Sequence, residues 1–237
     1  MEAYAADVKS KSYKLTKLDT MLSITNARFV FFYENKESSG TFMPSDKLKK
    51  GFFRTLVKFP WLLGFLKQTS NGLLEIVVDK GHLNTPIYRE TQSDVHFRDI
   101  KAADYNPKTW PKNVVPLGRY QCPEKETKEI KLANFHVVRF RDNSGIVISA
   151  NHSHAVADGA SSFAFFNHWA DETRALIAGN QLKEVEYCFD PDILLQQLPR
   201  ERVPLNETSK KMYSFKSYLC ESIMKLAPNT RGKLLRS

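Results

Sequence analysis

His154 and Asp158 are the residues in this chain best suited to chemistry, because they stand four positions apart at a junction between two kinds of secondary structure. The apolar run 145–150 predicts a strand, and the spacing of apolar residues after Gly159 predicts a helix. A strand end holds a side chain in place, while a loop leaves it open to a ligand. Since an imidazole titrates near neutral pH, His154 is suited to act as a general base toward a hydroxyl or an amine.

Other roles for these side chains remain open at the level of sequence. Asp158 could orient the imidazole of His154, as a carboxylate does in a catalytic triad. His152 lies two residues before His154, so a continuing strand would place both rings on one face, where Asp158 could complete a metal site. We expect no bound metal, because no further strong ligand is identifiable. A nucleophilic route through Ser153 is disfavoured, since the sequence has neither a Gly-x-Ser-x-Gly turn nor a cysteine beside the motif.

The pattern His154-x-x-x-Asp158-Gly159 resembles the motif of the BAHD family of coenzyme-A-dependent acyltransferases. Shorter stretches are also similar to that family, namely a Leu-x-x-Leu-Asp-like element at 15–19 and the segment 59–64, which looks like the family's His-Phe-x-Pro-Leu-Ala-Gly. The similarity extends more distantly to chloramphenicol acetyltransferases and to condensation domains of peptide synthetases. It covers the chain from about Leu15 to Pro199.

This resemblance implies specific roles for the motif. His154 would be the general base, acyl-coenzyme A would be the co-substrate, and no cofactor would be permanently bound. Asp158 would turn away from the substrate and hold the loop through an ion pair, and Gly159 would allow close backbone approach where the helix starts. Residues that contact coenzyme A cannot be assigned from the sequence. The family's second domain and its Asp-Phe-Gly-Trp-Gly motif have no match, so the resemblance predicts an N-terminal half only.

Three functions follow from this resemblance. The favoured one is the base-carrying half of an O- or N-acyltransferase that acts on a small hydroxyl- or amine-bearing acceptor. The second is a truncated binding or regulatory protein that keeps the fold without turnover. The third is a self-complete enzyme in which identical chains supply one another's missing wall. The favoured function predicts either an oligomer or a missing C-terminal domain.

Composition excludes several other classes of protein. The chain has 35 Lys and Arg against 26 Asp and Glu, and the net charge of +9 is typical of a solvated basic surface and would also suit an anionic partner. No zinc-finger spacing, RNA-binding motif or long basic run indicates nucleic acid. Only three widely spaced cysteines occur, at positions 122, 188 and 220, which is typical of a reducing compartment. Because neither a signal peptide nor an apolar run of about 18 residues is present, we expect a cytoplasmic protein without a membrane span.

The surrounding elements predict an α/β fold like that of chloramphenicol acetyltransferase, with a mixed, largely antiparallel sheet flanked by helices. Strands are expected at 28–33, 73–78, 86–90, 130–141 and 145–150, and helices at 46–58, with Ser45 or Asp46 as N-cap, and at 160–178. The segment 91–119 is expected to be irregular. Residues 1–200 would form the acyltransferase domain, and 201–237 a crossover linker and the start of an incomplete second domain, including an amphipathic helix at 209–226.

Overall fold

The computed structural model describes residues 2–116, 130–187 and 189, all within one compact unit, Met1–Asp192. The strands are β1 (Lys11–Lys14), β2 (Asn26–Glu34), β3 (Phe65–Gln68), β4 (Leu74–Val78), β5 (Ile87–Gln92), β6 (Ala133–Arg139) and β7 (Gly145–Ser153). The helices are α1 (Glu2–Ala5), α2 (Lys17–Leu22), α3 (Ser45–Lys58), α4 (Phe97–Ala102) and α5 (Gly159–Ala178), with short 3-10 turns at Pro60–Leu63, Pro107–Thr109 and Arg141–Asn143. None of the helices in these ranges is both long and apolar enough to cross a membrane.

The main sheet has four strands in the order β2-β7-β6-β5. Strand β7 pairs antiparallel with β2 and with β6, whereas β5 runs parallel to β6. All nine residues of β7 are buried, since neighbours cover both its edges and both its faces. The mixed, largely antiparallel sheet predicted from the sequence is therefore confirmed, with the motif strand at its centre.

Helices α3 and α5 pack on one face of this sheet through a cluster of aromatic rings. The ring centroid of Phe52 on α3 lies 4.9 Å from that of Phe135 on β6 and 5.2 Å from that of Trp169 on α5. The Trp169 indole N–H donates to the carbonyl oxygen of Leu48 at 2.8 Å, which satisfies the polar atom of a buried ring. The rings thus fix α5, and with it the loop that leads from β7 into the helix.

The opposite face of the sheet changes in character along its strands. Near the start of β7, Val147 packs against Phe97 and Phe140 in a second apolar cluster. Near the end of β7 the same face is polar, because Asn151 lies between Asn134 on β6 and Arg28 on β2. Residues directly opposite each other on neighbouring strands share a face, so these three side chains form one row across the sheet.

A smaller antiparallel sheet, in the order β1-β4-β3, closes the unit beside the helices. The turn before β4 contains Gly72 with φ of 80°, which a glycine adopts without strain. The predicted strand at 73–78 corresponds to β4. Asn84 joins this sheet to the main one, because its side-chain amide donates to the carbonyl oxygens of Gly64 and Ile130 at 2.9 and 2.8 Å.

Three details differ from the sequence expectations. The N-cap of α3 is Pro44, without a side-chain hydrogen bond, and neither Ser45 nor Asp46 caps the helix. The stretch expected to be irregular contains α4, whose N-cap is the side chain of His96.

The third detail concerns α5. The three- and four-residue spacing of its apolar residues predicts a core face through positions 163, 166, 169, 173, 176 and 177, but Phe163 is 47% exposed and the buried positions include Ser162 and Glu172. Ser162 bonds the carbonyl oxygen of Asp158 and Glu172 reaches Arg54 on α3, and an apolar pattern cannot reveal such partners.

Several expectations fall on residues outside the described ranges. These are the three cysteines, the linker prolines Pro199 and Pro204, and the amphipathic segment 209–226. The division into domains at residue 200 also stays a prediction.

We expect Gly145→Ala to destabilise the protein by about 2 kcal/mol, as overpacking of a core does. A Cβ at Gly145 would lie against the ring of Phe97 and 2.5 Å from the carbonyl oxygen of Tyr33, where β7 begins. Gly40→Ala is the matched control, because a Cβ there would have no atom within 4 Å. Urea unfolding of both variants measures the difference, and equal midpoints would contradict the packing described for β7.

Candidate active site

His154 is the first residue after β7 and lies at the start of a turn. Its backbone N–H donates to the carbonyl oxygen of Thr25 at 3.0 Å, which continues the pairing of β2 and β7 by one bond. The next two residues, Ala155 and Val156, are buried, whereas His154 is partly exposed. The backbone of His154 is therefore fixed from both sides while its side chain keeps access to solvent.

His152 lies on the same strand end but is enclosed. It is 4% exposed, and its ring stacks on Phe29 with 5.8 Å between centroids. Its Nδ1 donates to the carbonyl oxygen of Ser153 at 2.9 Å, and its Nε2 lies 2.9 Å from Oγ of Ser162 in the first turn of α5. Burial lowers the pKa of His152, which keeps the ring neutral at pH 7. His152 thus joins β7 to α5 instead of facing a ligand.

Asp158 is the N-cap of α5. Its carboxylate accepts the backbone N–H of Ser161 at 2.7 Å, and its carbonyl oxygen accepts the N–H of Ser162 at 2.9 Å. The carboxylate is exposed, and within the described ranges it forms neither an ion pair nor a hydrogen bond with His154. The described residues therefore show no contact between Asp158 and His154 of the kind that a catalytic triad requires. The resemblance implied an ion pair for Asp158, and the structure shows a capping hydrogen bond.

Gly159 is the first residue of α5. A Cβ at this position would have no described atom within 4 Å, so the close backbone approach expected of Gly159 is not found. The described residues would therefore leave room for a larger side chain at position 159.

The side chains of Ser153 and His152 form hydrogen bonds inside the protein. The hydroxyl of Ser153 is fully buried and donates to the carbonyl oxygen of Ser23 at 2.8 Å, so it is not poised as a nucleophile. Both ring nitrogens of His152 have partners, which leaves neither free for a metal. Across the described residues, no group of three His, Cys, Asp or Glu side chains has the arrangement of a metal site.

Sequence reasoning missed the residues that set the site's surroundings. Ser162 bonds His152, and Asn151 donates its side-chain amide to the carbonyl oxygen of Pro116 at 3.0 Å. The available signal was Asn151 itself, since an amide within an otherwise apolar central strand requires a partner.

Comparisons with known proteins identify related sequences and folds. The sequence model of the Transferase family matches residues 4–218. A hydroxycinnamoyltransferase from Narcissus pseudonarcissus is 26% identical over 161 residues, which cover 68% of this chain and 35% of that protein. The chain thus spans about a third of the length of this curated relative.

Solved structures share the fold at low sequence identity. F. graminearum TRI101 complexed with coenzyme A and T-2 mycotoxin superposes with a TM-score of 0.57 at 14% identity, covering 82% of this chain and 46% of that one. F. sporotrichioides TRI101 complexed with coenzyme A and T-2 gives a TM-score of 0.52 at 17% identity, over 82% and 47%. The starter condensation domain of rhizomide synthetase RzmA gives 0.54 at 15% identity, over 80% and 45%. These matches confirm the predicted acetyltransferase-like fold class.

We expect Asp158→Ala to lower the free energy of unfolding by about 1 kcal/mol, because the variant loses the N-cap bond of α5. Asp158→Asn is the matched control, since its amide oxygen can still accept the N–H of Ser161. Chemical denaturation compares the two variants with wild type. If the Asn variant lost as much stability as the Ala variant, the carboxylate charge and not the cap would be the stabilising feature.

The stability of the protein should fall as the pH drops below about 6.5, the unfolded pKa of histidine. Burial lowers the pKa of His152 in the folded state, so the unfolded chain binds a proton that the folded protein does not take up until a lower pH. The stabilisation is fully present above the unfolded pKa and is lost on acidification. His152→Gln should flatten the slope of unfolding free energy against pH by up to about 1.4 kcal/mol per pH unit. An unchanged slope between pH 7 and 5 would contradict this.

Proposed function

Because the chain belongs to the Transferase family of BAHD acyltransferases, we propose that it carries the catalytic base for acyl transfer from acyl-coenzyme A to a small hydroxyl- or amine-bearing acceptor. His154 is that base. The proposal is supported by relatives whose names describe a hydroxycinnamoyltransferase and a protein complexed with coenzyme A. It includes a cytoplasmic location, as the sparse cysteines predict.

The observation that carries the proposal is the contrast between the two histidines at the end of β7. His152 is buried and both its nitrogens have partners, whereas His154 is partly exposed on a turn with a fixed backbone. A general base must reach the proton that it removes, so only His154 qualifies.

In the proposed reaction, a ring nitrogen of His154 takes the proton of the acceptor hydroxyl while the oxygen attacks the thioester carbonyl carbon. The new C–O bond converts the carbonyl oxygen into an oxyanion. When the oxyanion collapses, the C–S bond breaks, and the departing thiolate takes the proton back from the imidazolium. The products are an ester and free coenzyme A, and His154 is neutral again. An amine acceptor gives an amide by the same steps, and neither reaction requires a covalent enzyme intermediate.

The motif's other residues support the base without touching the reacting atoms. Asp158 caps α5, and the helix in turn binds His152 through Ser162. Both bonds hold the turn between β7 and α5, so we assign Asp158 to support of the site, and the family motif alone adds Gly159 to that role. The net charge of +9 is compatible with a phosphorylated thioester donor.

The second candidate function is a protein that binds through this fold without turnover. A self-complete enzyme would need a second copy to complete the wall around His154. Mass under native conditions separates a monomer from an oligomer, and release of coenzyme A separates catalysis from binding alone.

His154→Ala should lower coenzyme A release by two to four orders of magnitude, since a positioned base contributes about that much. The assay combines a panel of acyl-coenzyme A donors with alcohols and amines, and detects the free thiol. His82→Ala is the matched control, because His82 is an exposed histidine outside the motif.

Equal rates for wild type and His154→Ala would remove the mechanism. Absence of turnover in wild type, together with measurable binding of acyl-coenzyme A, would favour the non-catalytic candidate.

A further inference from the structure

A cavity of about 330 Å³ lies beside strands β5 and β6, apart from the turn that holds His154. Its walls include Ile87, Val115 and Pro116, and its polar lining includes Arg89, Asn134 and His136. This volume is within the lower range of small-molecule sites, which are typically about 300 to 1,000 Å³. The mixture of apolar walls with a few polar groups is also typical of such sites.

Arg89 is the charged group of this lining. Among the described residues it has no ion-pair partner, and no described acidic side chain lines the cavity. The guanidinium is exposed, so it is available to an entering ligand. A single unpaired cation at the edge of a partly apolar cavity favours a ligand with one negative charge.

His136 lies directly opposite Arg89 in the pairing of β5 and β6. Its Nδ1 is 2.9 Å from the carbonyl oxygen of Asn113, and its Nε2 is 2.8 Å from Oγ1 of Thr91. Since a carbonyl only accepts, Nδ1 donates to it, and in the neutral ring Nε2 accepts the Thr91 hydroxyl. Burial lowers the pKa of His136, and the nearby charge of Arg89 lowers it further. His136 is therefore a neutral lining residue with a fixed ring, and Arg89 provides the positive charge that attracts an anionic ligand.

We propose that this cavity binds a small aromatic carboxylate. The carboxylate pairs with the forked guanidinium of Arg89, a geometry in which two parallel hydrogen bonds form, and the ring packs against Ile87 and Val115. Ile87 is 48% exposed, which makes it a large apolar side chain still open to contact. A phosphate is the poorer fit, because sites for phosphate usually combine several cations or backbone N–H groups, and the described lining offers one cation, Arg89.

The test is isothermal titration of the full chain with benzoate and with benzamide, its uncharged analogue of the same shape. Benzoate should bind about tenfold more tightly, as expected for a hydrogen bond to a charged group. Arg89→Ala should remove that difference, and Arg89→Lys should keep part of it.

Arg28→Ala is the matched control, because Arg28 is also an exposed arginine on an outer strand of the same sheet and does not line the cavity. It should leave the preference for benzoate unchanged. Equal affinity for the acid and the amide, or an equal loss in Arg28→Ala, would overturn the site. Displacement of benzoate by inorganic phosphate or by coenzyme A at equal concentration would overturn its assignment to a carboxylate. His154→Ala should bind benzoate as wild type does, so this result is separate from the outcome of the acyl-transfer assay.

Discussion

The hydrogen bond from the amide of His154 to the carbonyl of Thr25, 3.0 Å long, holds the candidate site in place. It continues the pairing of β2 and β7 by one bond, between the residue before β2 and the residue after β7. Because β7 is buried along its whole length, the position of this bond is set by the packing of the sheet and its helices. The turn that follows starts from a fixed backbone position, so the position of His154 is restricted although it lies in a loop.

The second constraint comes from α5. Its N-terminus carries the cap of Asp158 and the Ser162 hydroxyl, which lies 2.9 Å from Nε2 of His152. His152 thus joins β7 to α5, while His154 stays accessible. The two rings, separated by one residue, have different burial and different partners, and so they have different chemistry.

Much of this arrangement could be predicted from the sequence, because strand, turn and helix leave separate patterns. The strand β7 and the helix α5 follow from apolar spacing, and the end of α5 at Ala178 follows from the next residue, Gly179, which the structure shows in the left-handed conformation with φ of 73°. The difference between His152 and His154 could not be predicted. Alternation places both rings on one face only while a strand continues, and β7 ends at Ser153, where a turn begins.

The sequence pattern also did not predict which residues of α5 are buried. The inward face of α5 includes His168 and Glu172, whose Nε2 and Oε1 atoms lie 3.8 Å apart, and Glu172 reaches Arg54 on α3 at 3.3 Å. A pattern of apolar residues predicts that charged residues such as Glu172 lie on the surface, although a partner distant in sequence, here Arg54, allows Glu172 to be buried.

The link between His152 and Ser162 has a consequence for protein engineering. A library that diversifies the helix after the motif would damage the protein most at Ser162, which is buried and contacts His152. Phe163, the adjacent position, is 47% exposed and packs edge-on against Phe29 and Phe31 of β2, so it lies near the turn but makes no hydrogen bond to β7. Diversification should therefore begin at Phe163 and spare its neighbour.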